Sequence, residues 1–315
     1  MGRRSGDSKK GGGLLRQKPG VIYAFIEEHR HEFRVAKMCK VLGVSRGGYY
    51  EWRNRAQCSQ KQRKASIVEA IKEIFVQSRK TYGSPRITME LYKQGLTVTQ
   101  KTVSTYMREY GLRPKSASKK GKKTTDSNHH QPIYPNLLKR DFHTEQPGET
   151  WVADITYIWT REGWLYLASV MDLFSRKVIG WNISHRLTKE LATTALHRAM
   201  RLQPPQEGLI HHSDRGSQYA SHDYQAILRE HGMRTSMSRK GDCYDNACIE
   251  SFHATIEKDL LAHETYDTRE EAKMSVWEYI ACFYNEERTH STIGYVSPNQ
   301  FERQYRQAQG GDTTA

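Results

Sequence analysis

The chain has 315 residues, 37% hydrophobic and 27% charged, and its formal net charge at pH 7 is +14. No run approaches the roughly 18 apolar residues of a membrane span, and the first twenty residues lack the apolar stretch of a secretory signal, so the sequence disfavours membrane and secreted proteins. Five scattered cysteines without a paired spacing favour a reducing compartment over a disulfide scaffold.

The charge is distributed unevenly along the chain. The first 150 residues carry 31 Lys and Arg against 13 Asp and Glu, whereas the remaining residues carry 18 against 22. A basic front half indicates a polyanionic partner, most simply nucleic acid. The acidic back half argues against a nucleic-acid-binding protein whose whole surface is basic, and it supplies carboxylates that suit a metal ion.

The front half begins with a leader and a short helical region. Residues 1–19 are rich in Gly, Ser, Lys and Arg and predict a disordered leader. Residues 20–60 contain three helical patterns; Gly43 ends the second, and Ser45 is placed to cap the third. This order is typical of a helix-turn-helix unit, with a plain helical bundle as the alternative.

The pattern recurs over 61–113. Ser84 is predicted to cap a helix that Pro85 opens, and Thr99 to cap the next. The following segment, 114–147, is predicted to be a basic linker that either tracks DNA phosphates or is simply a solvated charge run. Basic side chains of these three regions are the candidate phosphate contacts: Arg53, Arg55, Arg86, Lys101, Lys119, Lys120, Lys122 and Lys123.

The amino-acid composition changes at Thr150, where β-branched and aromatic residues begin to dominate. The patterns predict strands at 150–160, 164–172, 177–184, 208–212 and 233–237, and helices at 188–202, 221–231, 244–261 and 269–287. Three consecutive strands followed by alternating helices and strands indicate a mixed, five-stranded α/β sheet.

Three acidic residues of the back half are placed to converge. Asp154 sits in a strand among apolar neighbours, where a carboxylate is costly to bury unless it is paired or bound to a metal. Asp214 follows a strand end, where ligands of open α/β sheets gather, and Glu250 flanks the apolar stripe of a helix. Such carboxylates suit a pair of Mg²⁺ ions, although ordinary surface solvation remains open for each. His212 is expected to be structural, and Asp245 to order the loop before the helix of Glu250.

The chain resembles the transposases of bacterial insertion-sequence family three, which have a retroviral-integrase-like core of the ribonuclease H type. The resemblance covers roughly residues 20–303. It is carried by TWVADITYI (150–158), HHSDRGSQY (211–219), GDCYDNACIESF (241–252), YNEERTHSTIGYVSPNQF (284–301), MCKVLGVSRGGYYEWRNR (38–55) and YGSPRITMELYKQG (82–95).

The resemblance implies a ribonuclease H-like α/β core, with a mixed five-stranded sheet and helices, preceded by all-α helix-turn-helix domains. The implied divisions are a leader (1–19), two helix-turn-helix domains (20–60 and 61–113), a basic linker (114–147), a DDE core (148–262), a helical C-terminal extension (263–303) and a disordered tail (304–315).

The resemblance makes Asp154, Asp214 and Glu250 the catalytic metal ligands, for two Mg²⁺ ions that Mn²⁺ can replace. The implied activity is cleavage of insertion-sequence ends and strand transfer into target DNA. The family often has Lys or Arg seven residues after the glutamate, but Glu257 stands there and Lys258 follows it. Lys258 and Arg288 are further candidate DNA contacts.

The implied partners are DNA, a second copy of the chain or a higher oligomer on DNA, and the first-frame protein of the same element, without a membrane. The implied location is the cytoplasm, at the nucleoid. Two other hypotheses stay open. One is a DNA-binding regulator with an inactive or incomplete core, which Glu257 favours; the other is a nuclease for RNA–DNA hybrids, against which the helix-turn-helix segments count.

Overall fold

The structure is a computed structural model that describes residues 17–54, 59–116, 131–239 and 243–310. The chain divides into two compact units, Met1–Glu69 and Ala70–Ala315. Of the predicted DNA contacts, Arg55 and the four linker lysines 119, 120, 122 and 123 lie outside the described residues. None of the helices in the described ranges combines the length and the apolar character that crossing a bilayer requires.

Among its described residues the first unit contains three short helices, α1 (Pro19–His29), α2 (Val35–Val41) and α3 (Arg46–Asn54), and the beginning of a fourth. Their shared core consists of buried side chains from all three: Ile22, Ile26, Met38, Cys39 and Tyr49. Tyr49 is fully buried, and its hydroxyl donates to the Glu27 carboxylate. The aromatic residue at the centre of α3 therefore packs within the unit and is not available to a DNA base.

Helix α4 (Ser59–Gln77) crosses the division between the units, and α5 (Ser84–Lys93) and α6 (Gln100–Glu109) follow it. Thr99 caps α6 as predicted, because its hydroxyl accepts from the Thr102 N–H at 3.3 Å. The cap predicted for Ser84 is wrong. Ser84 is already helical and Gly83 occupies the cap position, which has no side chain to offer.

The five strands form one sheet in the order β3-β2-β1-β4-β5, with β1 (Thr150–Thr160), β2 (Gly163–Asp172), β3 (Val178–Ser184), β4 (Ile210–Ser213) and β5 (Arg234–Met237). The first three strands are joined by short turns and pair antiparallel. Strands β4 and β5 are reached through helices and pair parallel. This confirms the mixed α/β sheet predicted from the sequence.

Each face of the sheet is covered by helices. One face packs against α7 (Lys189–Leu202), α8 (Ser217–Ala220) and α9 (His222–Glu230), and the other against α10 (Ala247–Asp259) and α11 (Arg269–Glu278). Alternate residues of β1 point to opposite faces, so Trp151 and Ala153 join the first core whereas Val152 and Ile158 join the second. The side chain of Asp154 therefore points toward α10.

Two predictions for the C-terminal region are wrong. The single helix predicted over 269–287 ends at Glu278 and continues as a π-helical turn, Tyr279–Tyr284, whose wider spacing lets four large side chains reach the core. The tail predicted to be disordered from 304 is helical to Gly310, as part of α12 (Pro298–Gly310). The Tyr305 ring packs edge-on against Phe174, with ring centroids 4.8 Å apart, and this contact anchors the added turns.

The described part of the predicted linker packs against the sheet. Leu138 is 6% exposed within the core beneath α10, and the Leu137 N–H donates to the Ser236 hydroxyl on β5 at 2.9 Å. The segment 131–147 therefore belongs to the folded unit, although its neighbours at 117–130 lie outside the described residues.

The segment around α5 is docked on the C-terminal region of the same unit. Tyr82 is buried, and its hydroxyl accepts from the Thr289 N–H at 2.7 Å and donates to the Glu287 carbonyl at 3.4 Å. Arg86 Nε donates to the Thr289 carbonyl at 3.0 Å, and Lys93 Nζ donates to that of Tyr295 at 2.7 Å. The YGSPR segment (82–86) and Lys93 thus form hydrogen bonds to the turn within residues 284–301, one of the segments that carry the family resemblance.

Candidate active site

Asp154 lies on β1, and Asp214 directly follows the neighbouring parallel strand β4. The register of the two strands ends with Ala153 opposite Ser213, so Asp154 is the next residue of β1 and Asp214 is the first residue after β4. Neighbouring strands are about 4.8 Å apart, and side chains in register point to the same face. The sheet therefore brings together two acids that are sixty residues apart in the sequence.

A backbone N–H positions each aspartate. Asp154 Oδ1 accepts from the Ile155 N–H at 2.8 Å, and Asp214 Oδ1 accepts from the Gly216 N–H at 2.9 Å. A Cβ on Gly216 would lie 3.0 Å from Asp214 Oδ1, so the glycine leaves room for the carboxylate to turn back on its own loop.

Glu250 lies at the surface in the first turn of α10, on the face of the sheet toward which Asp154 points. Its pKa is raised, first by the desolvation it experiences and then by the carboxylates of Asp154 and Asp214, while His253 opposes the shift. The carboxylates of Asp154 and Asp214 are therefore close enough to disfavour a negative charge on Glu250.

His253 is a member of this site that sequence reasoning missed. It lies one turn after Glu250 on α10, with Nδ1 3.3 Å from Asp154 Oδ2, and its side chain is about 10% exposed. Its Nε2 is buried and has no hydrogen-bond partner among the residues that the structure describes. A lone histidine on an amphipathic helix carries no sequence signal, so only the fold reveals its contact with Asp154.

The donor set suits a hard divalent cation. Three carboxylates supply the oxygen ligands that Mg²⁺ prefers, and their mutual repulsion is what a cation would relieve. Across the described ranges, no three His, Cys, Asp or Glu side chains are already close enough to form a metal cluster. The three residues thus fit Mg²⁺ in the kind of ligand that they offer.

The loop before α10 is held by Asp245. This carboxylate is fully buried and accepts from the N–H, Nε and Nη2 of Arg239 at 2.9–3.0 Å and from Arg140 Nε at 3.1 Å. The Arg239 hydrogen bonds hold the pKa of Asp245 well below its usual range. The loop-ordering role predicted for Asp245 is confirmed, and Asn246 ties the same loop to β1 by donating to the Ala153 carbonyl at 3.4 Å.

His212 is a structural residue, as expected. Its Nδ1 lies 2.8 Å from the Ser236 hydroxyl, and Nε2 lies 3.3 Å from that of Ser238. Burial lowers the pKa of His212 to about 4, so the ring is neutral at pH 7. Two residues before Asp214, His212 thus links β4 to β5 and to the residue that follows β5.

The predicted DNA contacts are divided by their exposure. Arg53, Lys101 and Lys258 are exposed, on α3, α6 and α10 respectively. Arg53 Nε is 3.5 Å from Glu27, a surface pair that costs little to break. Lys258 shares the outer surface of α10 with Glu257, so the acid and the base lie side by side there.

The remaining two arginines have structural partners. Arg288 is 4% exposed, and its Nε donates to Asp259 at 2.6 Å at the end of α10. Its assignment as a DNA contact is therefore wrong, because a buried, ion-paired guanidinium does not reach a phosphate. Arg86 is half-buried and uses Nε to hold the Thr289 carbonyl, which makes it part of the docked segment.

Comparison with known proteins places this geometry in a class. Models of the integrase core domain match residues 144–243 and 231–298, and a model of an HTH-like domain matches residues 61–120. The structure of the HTLV-2 integrase catalytic core domain in complex with magnesium is similar to part of this chain. The alignment covers 50% of this chain and 99% of the HTLV-2 chain, with a TM-score of 0.39 and 17% sequence identity. The family-model matches show that the chain contains an integrase core domain preceded by an HTH-like segment.

The relatives define the family within that class. The chain is 45% identical over 282 residues to transposase InsF for insertion sequence IS3A of Escherichia coli (strain K12), covering 89% of this chain and 98% of the relative. It is 44% identical over 270 residues to the insertion element IS600 uncharacterized 31 kDa protein of Shigella sonnei, covering 86% and 99%. The chain belongs to the family of IS3 insertion-sequence transposases.

Proposed function

We propose that this chain is a DNA transposase that cleaves the ends of its insertion sequence and joins the freed 3′-OH to target DNA. The observation that carries the proposal is the register of β1 and β4, which sets Asp154 beside Asp214 on the face where α10 presents Glu250. Carboxylates on β1, just after β4 and on α10 suit phosphoryl transfer, which needs charge stabilisation more than a protein nucleophile.

The carboxylates of Asp154, Asp214 and Glu250 would hold the divalent ions, with Mg²⁺ as the physiological choice and Mn²⁺ as a substitute. Two such ions would activate the attacking oxygen and stabilise the leaving oxygen. The chain itself orients the ligands: the Ile155 and Gly216 N–H groups fix one oxygen of each aspartate, and His253 supports Asp154.

The proposed partners follow from this activity. Two element ends must be processed together, so we expect at least a dimer on DNA, and the first-frame protein of the element is a further partner. The exposed bases Arg53, Lys101 and Lys258 are the described residues that we assign to phosphate contacts. The substrate is chromosomal DNA, and we therefore place the protein at work in the cytoplasm, at the nucleoid.

A joining assay tests the proposal. Purified protein, a pre-cleaved duplex of the element's end and a plasmid target are incubated in Mg²⁺ or Ca²⁺, with Asp214→Asn as the inactive variant. The matched control is Asp223→Asn, an exposed aspartate on α9 that pairs with Lys189. We expect joined product in Mg²⁺ only, lost in Asp214→Asn and kept in Asp223→Asn.

The competing function is a DNA-binding regulator, which Glu257 favours because an exposed acid on α10 repels phosphate. A salt-sensitive gel shift without joined product, in wild type and in Glu257→Lys alike, would support the regulator and overturn the transposase. Joining by Asp214→Asn would overturn the assigned site.

A further inference from the structure

Four aromatic side chains form a row on the β1–β2 hairpin. This aromatic strip consists of Tyr157 and Trp159 on β1 and their cross-strand partners Tyr166 and Trp164 on β2. Their rings meet edge to face, with centroids 5.0 Å apart for Tyr157 and Tyr166, 6.0 Å for Tyr157 and Trp164, and 4.8 Å for Trp159 and Trp164.

The aromatic strip extends beyond the covered part of the sheet. It continues the face that packs against α7, where Ala153 and Ala168 are buried, but its own members are partly open to solvent. Trp159, near the hairpin end, is 58% exposed. A large aromatic side chain left exposed in this way marks a binding surface more often than a packing accident when it belongs to a cluster.

The aromatic strip lies farther along β1 than Asp154 and on the opposite face of the sheet. At about 3.4 Å per residue, the Cα atoms of Tyr157 and Trp159 lie about 10 and 17 Å along β1 from that of Asp154. Strand β4 pairs with β1 only as far as Ala153, and the described residues next pair with this edge at the isolated bridge between Thr160 and Tyr266, so residues 155–159 have no strand beside them there. A ligand at the aspartates can therefore pass over this edge to the aromatic strip.

Electrostatics support the same proximity. Burial raises the pKa of Tyr157, and Tyr166 and the carboxylates of Asp214 and Asp154 raise it further. The phenol thus lies within the field of the aspartates, although its strand position points it to the opposite face of the sheet.

The turn beside the aromatic strip carries a positive charge. Arg161 follows β1 directly and is 70% exposed on its side chain, with Nη1 2.9 Å from the exposed Asp267 carboxylate. An ion pair between two exposed groups contributes little, so a phosphate can replace Asp267 at low cost.

We propose that the aromatic strip stacks on the bases of an unpaired DNA strand next to the scissile phosphate, with Trp159 as the outer platform. This inference rests on the proposed transposase function and names a feature of its substrate, a frayed or single-stranded end. Aromatic faces suit this ligand because every base presents a π-face, which makes stacking strong and tolerant of sequence. The aspartates would hold the phosphate while the aromatic strip holds the neighbouring bases apart from their partners.

Binding measured without chemistry tests the inference. The full chain is titrated in Ca²⁺ with two duplexes of identical sequence, one blunt and one with a short oligothymidine extension, and 2-aminopurine within the extension reports stacking by quenching. The variants are Trp159→Ala and Trp159→Phe, which keeps a ring. The matched control is Trp277→Ala on α11, where the tryptophan is 50% exposed.

We expect wild type and Trp277→Ala to prefer the extended duplex and to quench the probe. Trp159→Ala should bind the extended duplex about tenfold more weakly and the blunt duplex unchanged, and Trp159→Phe should recover most of the difference. Equal affinity of wild type for both duplexes, or equal weakening of both in Trp159→Ala, would overturn the inference. So would a drop in oligomer mass in Trp159→Ala without DNA, because the aromatic strip would then bind a second copy. None of these outcomes depends on joining activity, so failure of the proposed function would be seen separately.

Discussion

The charge on Glu250 opposes folding as long as the site holds no cation. Its pKa in the folded protein is raised above the ordinary value of 4.5, by desolvation first and by the two aspartates next. A raised carboxyl pKa means that ionisation costs stability above the folded pKa, and that this cost disappears below the unfolded pKa. The ionised Glu250 therefore lowers the stability of the folded protein, and a bound divalent cation would offset this loss.

We accordingly expect Glu250→Gln to raise the Tm of the metal-free protein at pH 7 and to leave it unchanged near pH 4. The reason is that glutamine removes the repulsion, which protonation already removes in acid. Calorimetry across this pH range measures the effect, with Glu257→Gln, exposed on the same helix, as the control. A Tm gain that persisted at pH 4 would contradict the electrostatic cause.

His253 acts through Asp154. We expect His253→Ala to weaken Mn²⁺ binding by about 10- to 100-fold, the usual effect of removing a side chain that orients a metal ligand. Titration of Mn²⁺ followed by electron paramagnetic resonance measures this without turnover. His253→Asn, whose amide nitrogen can replace Nδ1, should recover part of the affinity, and His231→Ala, exposed after α9, should have none of the effect. If the Mn²⁺ affinity of His253→Ala is unchanged, His253 packs beside Asp154 without orienting it as a metal ligand.

At the level of elements, α7 lies directly against the backbone of β3. A Cβ on Gly180 would lie 2.3 Å from the Ala195 carbonyl oxygen and 2.6 Å from the Ala199 nitrogen, both backbone atoms of the helix. Alanines on that helix face permit the same close approach. This contact fixes the helix that covers the sheet behind Asp154.

Gly180→Ala is expected to destabilise the protein by about 3 kcal/mol, because backbone atoms cannot move aside as a side chain would. Urea denaturation measures the loss. The control is Arg201→Ala on the exposed surface of α7, which should change stability by less than about 0.5 kcal/mol. A Gly180→Ala variant of native stability would mean that α7 can shift without cost.

Hydrophobic and β-branched patterns were enough to predict all five strands, because period-two alternation and turn residues are local properties. They also suggested Asp154, since a carboxylate within an apolar strand stands out, and Asp214, since ligands gather beyond the strand ends of open α/β sheets. They could not show Arg288, whose partner Asp259 lies on another element, so a buried ion pair looked like a free charge. The break after Glu278 was equally hidden, because a π-helical turn retains an apolar pattern that resembles continuous helix.

At the scale of the whole molecule, the segment around α5 is joined to the unit that contains the sheet. We expect Tyr82→Phe to leave the buried Thr289 N–H without a partner and to cost about 1–3 kcal/mol. Hydrogen exchange should show lost protection around 82–95 and 284–296, with the sheet unchanged. Tyr92→Phe, 44% exposed on α5, is the control. Protection equal to wild type would show that the hydroxyl does not hold the segment.

The docked segment also decides where such a protein can be cut and recombined. Because Tyr82, Arg86 and Lys93 bind the turn that follows the π-helical residues, an exchange made after residue 113 would separate α5 from its own partners and pair it with a foreign turn. A chimera joined inside α4, between Glu69 and Ala70, would keep these contacts intact. Residues 1–69 can therefore be exchanged between family members without breaking the hydrogen bonds that hold the docked segment.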